Sequence, residues 1–262
     1  MTGPLDEGRA VASGEEVYPS ELRDRDWWVN WVRAYPFDDD GEVDTEATPT
    51  KQPVAPYDTG HGRPVRWHSG LDEDEHPATA FIDVVEWDGT DLGLDIPTHD
   101  RVVSDEIGIG IIIPVGGGDG RQITLLDWDD VRDPETGDVH PVCAAALRRC
   151  DGYAEISQSG EGIHQFVFGE IPGGLSKFLR HIDDEPFVGD SLPMLEMYNS
   201  GRVCAMTGDH VEGTGDDVVD GQDMVDDLCR EFGLADNNSP GVPTDPFGRR
   251  DDPDRDVPSH EE

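Results

Sequence analysis

The chain has 262 residues, with 59 Asp+Glu against 19 Lys+Arg and a formal net charge of -40. That balance argues against a surface that holds nucleic acid by neutralising phosphates. The hydrophobic share of 35 % clusters into strand-like runs, which excludes disorder throughout.

Lysine is nearly absent, occurring only as Lys51 and Lys177, and carboxylates run through every segment rather than collecting in a tail. A distributed acidic surface suits a cytoplasm near molar salt, where the Debye length is only about 3 Å. In dilute buffer the same charge destabilises the compact state by self-repulsion. A halophilic source is therefore expected; a nucleic-acid mimic or a largely disordered acidic chain is the competing reading. The length fits one substantial domain. No apolar run approaches the roughly 18 residues of a membrane span, and no signal-peptide pattern opens the chain. A cytoplasmic protein with no membrane partner is expected. Cys143, Cys150, Cys204 and Cys229 lie far apart without a CxxC pair, so they read as buried small hydrophobes.

In chain order, residues 1–19 read as a flexible end, 20–235 as the domain, and 236–262 as a disordered acidic, Pro-rich tail. An N-terminal element carries Trp27, Trp28 and Trp31. A polar loop follows at 37–50, then a loop KQPVAP at 51–56. A helix is predicted to start near Pro77, with Ala78, Phe81, Ile82 and Val85 on its buried side. The β-branched run 107–115 ends at three glycines, 116–118, and reads as a strand and hairpin whose return strand is 123–128. A helix is predicted over 140–150, strands over 153–157, 163–168, 194–198 and 203–207, and a last helix over 222–232 with Gly233 as its C-cap. Strands mixed with a few helices and hairpin returns predict an α+β fold with an antiparallel or mixed sheet.

Three features could carry chemistry. In the stretch LLDWDD, alternate strand residues share a face, so Asp127 and Asp129 project together while Trp128 points away. Such a pair is either a site for Mg²⁺ or Mn²⁺, which favour oxygen ligands, or a solvated strand end. The turn SQSGEGIH, from Ser157 to His164, can offer backbone N–H groups, Ser159 and a protonated His164 to phosphate, or it is an ordinary hairpin. Glu196 lies inside the apolar strand LEMY, an expensive place for an unpaired carboxylate. It calls for a cation, unless that strand face is exposed. Arg202 is a phosphate or sugar contact or a surface salt-bridge former.

Taken in order, the DxD strand, the SxSGxGxH turn and an acidic strand leading into YxxxRxxxxTG resemble the three signature motifs of the archaeo-eukaryotic primase superfamily. The similarity is greatest to the primase–polymerase domains of viruses, plasmids and integrated elements. Trp28 or Trp31, then Lys51-Gln52-Pro53-Val54-Ala55-Pro56, then Trp67 resemble their W…KxPxxP…W lead-in, and the resemblance spans about residues 20–235. It implies a modified RRM-like sheet packed with an N-terminal α/β unit. It assigns Asp127, Asp129 and Glu196 to catalytic divalent metals, Mg²⁺ or Mn²⁺. His164, Ser159 and Arg202 go to the nucleotide's triphosphate, and Lys177 falls where some relatives hold a basic residue. Glu196 stands where many superfamily members use Asp.

The implied function is DNA primase or polymerase activity: two-metal nucleotidyl transfer from NTP or dNTP along a single-stranded DNA template. Its setting would be the replication of a haloarchaeal genome, virus or plasmid. The helicase domain that often follows in such proteins does not occur in this chain, so a separate helicase is an expected partner. The alternative is a non-catalytic module that binds nucleotide or single-stranded DNA for such a helicase. A replication-initiation endonuclease is a third reading, but the chain has no His-x-His and Tyr198 lies inside a strand. In molar salt, counterion release cannot supply template affinity. Stacking by Trp27, Trp28 and Trp67 could, though each is expected first as a core residue.

Overall fold

The computed structural model describes residues 17–36, 38, 40–44, 46–47, 50–55, 63–64, 101–113 and 121–233. Within them the chain is a mixed α+β protein with two largely antiparallel sheets and few helices. After a short helix α1 (Ser20–Arg23), the first sheet comprises β1 (Trp28–Pro36), β2 (Thr50–Ala55), β3 (Arg63–Pro64), β4 (Arg101–Ile113) and β10 (Arg202–Met206), in the order β10-β4-β1-β2-β3. The second comprises β5 (Ile123–Asp129), β7 (Ile163–Phe168), β8 (Lys177–His181), β9 (Met194–Tyr198) and β11 (Val219–Asp220), in the order β11-β7-β5-β9-β8. A short β6 (Ala154–Ile156) also pairs with β7, and only the β11–β7 pair is parallel. Helices α2 (Pro141–Arg149) and α3 (Gln222–Glu231) complete the described chain.

The sequence of β5 shows why there are three layers. Its first six residues are all buried, the signature of a strand covered on both faces. Leu126 and Trp128 pack with Cys143, Ala146 and Leu147 of α2 and with Met224, Val225 and Leu228 of α3. Ile123 and Leu125, one residue out of phase, pack with Trp28, Ile109, Ile111 and Ile113 of the first sheet. First sheet, second sheet and helices therefore stack around two apolar interfaces. The helices carry local signals that fit their ends. His140 caps α2 by accepting the Val142 N–H at 3.3 Å, and Gly233, with φ +90°, follows α3.

Several sequence expectations need correction. Strand 123–128 is not the return arm of a hairpin with 107–115. β4 lies between β1 and β10, whereas β5 lies between β7 and β9 in the other sheet. Both edges of each strand are already taken, so the two apolar runs cannot pair. Residues 51–55 of the expected loop KQPVAP form β2 instead, paired with β1 from Asn30↔Val54 to Ala34↔Thr50. Pro53 removes one ladder donor there, which tertiary pairing tolerates. Strands β9 and β10 follow closely in sequence yet belong to different sheets, the chain turning through Gly201 at φ 70°. Tyr18, inside the stretch read as a flexible end, is buried against Trp28 and Tyr153 at ring separations of 5.1 and 6.5 Å.

Trp27, Trp28 and Trp31 are all buried, so the first two serve the core and not a stacking platform. The helix expected near Pro77, the glycines at 116–118, Trp67 and the tail at 236–262 lie outside the described residues. Among the described residues no helix is long and apolar enough to cross a membrane.

One close approach is testable. Trp31 donates its indole N–H to the Ile109 carbonyl at 3.0 Å, which pins the ring over Gly108. A Cβ at Gly108 would stand 2.3 Å from the ring atoms Cε2 and Cζ2. Gly108→Ala is expected to destabilise the fold by about 1–3 kcal/mol, as overpacking does. A lowered urea midpoint in strong KCl, with an unchanged slope, is the measurement that checks it.

Candidate metal and phosphate site

Strand register builds the site. Asp127 of β5 lies opposite His164 of β7 on one side and opposite Glu196 of β9 on the other. Beyond His164, Glu155 of β6 is the next partner in the same row. Directly opposed residues of antiparallel strands have Cβ atoms about 4.5–5.5 Å apart and share a face. Four polar side chains thus stand side by side across the sheet. The alternation that sends Ile123 and Leu125 toward the first sheet sends Asp127 and Asp129 the same way. Asp127, Glu155, His164 and Glu196 are all buried, where a carboxylate without a partner would be costly.

The partners come from both sheets. Arg202, at the start of β10, donates to Asp127 Oδ2 at 3.0 Å and lies 3.5 Å from Glu196 Oε2. Its guanidinium also sits over the Tyr198 ring, 4.8 Å from the centroid, while the Tyr198 hydroxyl donates to Glu196 Oε2. His164 Nε2 is 3.5 Å from Asp127 Oδ1. Burial opposes the charge on Arg202, but Asp127, Tyr198 and Glu196 outweigh it and raise its pKa. For His164, burial favours the neutral ring. The neighbouring Cys204, Glu155 and Asp127 prevail and hold its pKa well above the ordinary histidine value.

Asp129 carries the clearest electrostatic signature. Burial, followed by the charges of Asp127 and Glu196, pushes its pKa up to about 7, with Arg202 and His164 only partly offsetting them. Asp127, Asp129 and Glu196 each offer one carboxylate oxygen, all within 4.8 Å of one another. Three hard oxygen donors in one cluster fit the preferences of Mg²⁺ and Mn²⁺. A second group, Glu155, His164 and Cys204, also brings ligand atoms within 4.8 Å of one another, but its donors are mixed in type.

Asp127, Asp129, Glu196, His164 and Arg202, scattered over 76 positions of sequence, therefore come together. Ser159 is exposed, and its hydroxyl serves its own turn, lying 3.1 Å from Ser157 Oγ and accepting the Glu161 N–H at 3.3 Å. That turn is fastened to the chain just past β5: Val131 N–H donates to the Glu161 carbonyl at 2.9 Å, and Arg132 donates to the Gly160 carbonyl at 2.8 Å. Lys177 is exposed on β8, in register with Tyr198.

Sequence reasoning passed over three residues. Tyr198, which the sequence places inside a strand, hydrogen-bonds Glu196. Lys51, exposed overall, has its ammonium 5.5 Å from the Trp31 ring centroid. Partial desolvation lowers its pKa, while Cys204 and Asp127 pull the other way. Glu155 is fully buried in a short apolar strand, the same signal that singled out Glu196. All four cysteines are buried and free, as expected, but Cys204 does not sit in purely apolar surroundings, its sulfur being 3.4 Å from His164 Nδ1.

The Asp129 shift sets a pH dependence. Below about pH 7 Asp129 holds its proton, and a cation must displace that proton to use the oxygen. Mn²⁺ affinity is expected to rise about tenfold from pH 6 to pH 8, following the ionised fraction of one such group. Asp129→Asn should weaken binding and flatten that rise, as read by isothermal titration calorimetry. No protein-family model matches this sequence, and no curated protein matches it significantly.

Proposed function

We propose that this chain is a metal-dependent, template-directed nucleotidyltransferase of the primase–polymerase kind. One arrangement carries the reading: three carboxylates with ligand oxygens within 4.8 Å of one another, flanked by the cationic side chains of Arg202 and His164. A site that pairs hard acidic donors with flanking cations suits a divalent metal and a polyanionic substrate at once. The order of the three motifs along the chain supports the same reading. The largely antiparallel second sheet, covered on one face by α2 and α3, supports its RRM-like part.

Asp127, Asp129 and Glu196 would hold Mg²⁺ or Mn²⁺, which when bound supplies Lewis acidity to the attacking 3′-hydroxyl and the departing pyrophosphate. The protein's own contribution is positioning and charge. Tyr198 occupies Glu196 Oε2 as a donor, which leaves Oε1 as that residue's free acceptor. His164 neutralises negative charge developing on the triphosphate. Arg202 exchanges its hold on Asp127 and Glu196 for phosphate oxygens, with Ser159 and its turn as a further contact. The substrates are NTP or dNTP and a single-stranded DNA template, with a separate helicase as partner.

One observation favours the non-catalytic alternative. Arg202 already neutralises Asp127 and Glu196 within the protein, as a nucleotide-binding module without a metal would require. Primer extension in molar KCl, with Mg²⁺ or Mn²⁺, separates the two. Wild-type protein is expected to extend a primer along its template. The Asp127→Ala/Asp129→Ala double variant should lose all extension while keeping its circular dichroism spectrum. Folded wild-type protein that binds nucleotide but never extends a primer is the non-catalytic module. If it neither binds nor extends, both readings fall.

A further inference from the structure

Behind His164, on the side away from Asp127, stands Glu155, which has no exposed surface. Four donors converge on its carboxylate. Oε1 receives the Thr207 N–H at 3.1 Å and faces His164 Nδ1 at 3.1 Å. Oε2 receives the Tyr153 hydroxyl at 2.8 Å and the Gly208 N–H at 3.0 Å. A carboxylate so engaged acts as an acceptor, so the imidazole presents its hydrogen at Nδ1. The other nitrogen, Nε2, is thereby aimed at Asp127. Cys204 Sγ, 3.4 Å from the same Nδ1, offers only a weak contact.

The arrangement joins three elements. Glu155 comes from β6 and His164 from β7, while the Thr207 and Gly208 amides follow directly on β10, which opens with Arg202. The Thr207 hydroxyl donates to the Ile156 carbonyl at 2.7 Å and so fastens the same junction from the other side. Two sheets meet at a single buried anion.

We propose that Glu155 is a positioning residue: held by Tyr153 and the Thr207 and Gly208 amides, it fixes the orientation of the His164 ring for contact with the nucleotide's phosphates. The consequence for turnover rests on the nucleotidyltransferase reading; the orientation itself does not. A carboxylate behind a functional imidazole fixes its tautomer and tilt, and losing such a partner typically costs about 10–100-fold.

Two measurements on the full chain in strong KCl test this. Long-range ¹H–¹⁵N spectra, with His164 assigned through His164→Gln, should show a hydrogen-bonded Nδ1 proton in the wild type. The isosteric Glu155→Gln should lose that signal. It should also lower kcat/KM for the nucleotide about tenfold or more, while the Mn²⁺ affinity of the acidic cluster changes little. A merely structural role would lower the melting temperature and leave the ring signal and kcat/KM in place, and that result overturns the proposal. Movement of both quantities in Cys204→Ala but not in Glu155→Gln overturns it too. So does stoichiometric Zn²⁺ bound by the Asp127→Ala/Asp129→Ala variant and lost with Cys204→Ala, because the cluster would then be a metal site. If Glu155→Gln fails to fold, Tyr153→Phe decides, since it removes one donor from the same carboxylate: a displaced His164 signal supports the proposal and an unmoved one overturns it. If wild-type protein neither binds nor turns over nucleotide, the nucleotidyltransferase reading fails while the ring spectra still decide the orientation.

Discussion

The candidate site depends on the register of one strand. β5 is gripped on both edges, by β7 and by β9, and those two pairings set His164, Asp127 and Glu196 in one row. The period of a strand is two, so a slip by one residue would turn Asp127 and Asp129 onto the helices and drive Leu126 and Trp128 into the space between the sheets. Both faces of β5 are filled with large apolar groups, which makes that slip costly. The hydrophobic pattern that folds the sheet is thus what aims the carboxylates.

Aiming them inward creates an electrostatic problem, which is answered partly from outside the sheet. Three acids in a largely buried cluster repel each other and lose hydration. One answer is the elevated pKa of Asp129; another is Arg202, which arrives on β10 from the opposite sheet. His164 supplies a further cation, backed by Glu155. The arginine of this site comes from the other layer, so its charge balance depends in part on how the sheets pack. The formal net charge of -40 belongs to the whole chain and is a separate matter from this local balance.

The local part of this was legible in the sequence. β7 and β9 have the bounds that their alternation indicates, and the shared face of Asp127 and Asp129 follows from strand geometry alone. The argument that a carboxylate in an apolar strand needs a partner found Glu196, and applied to AEI it would have found Glu155. What local pattern does not encode is which edges meet. IGIGIII and ITLLDW look like two arms of one hairpin because both are apolar and glycines stand between them, yet each is claimed by other strands. The KQPVA strand was hidden by its proline, and the engagement of Arg202 with Asp127 depends on a change of sheet that no short window reveals.

That change of sheet after Tyr198 has a further consequence. The carboxylates belong to one sheet and Arg202 to the other, so any ligand that touches both bridges the principal interface of the fold. Such a ligand acts as a removable staple, adding its binding free energy to the cohesion of the two layers. Resistance to unfolding then becomes a function of ligand concentration, and the protein's persistence is tied to the supply of whatever occupies the seam.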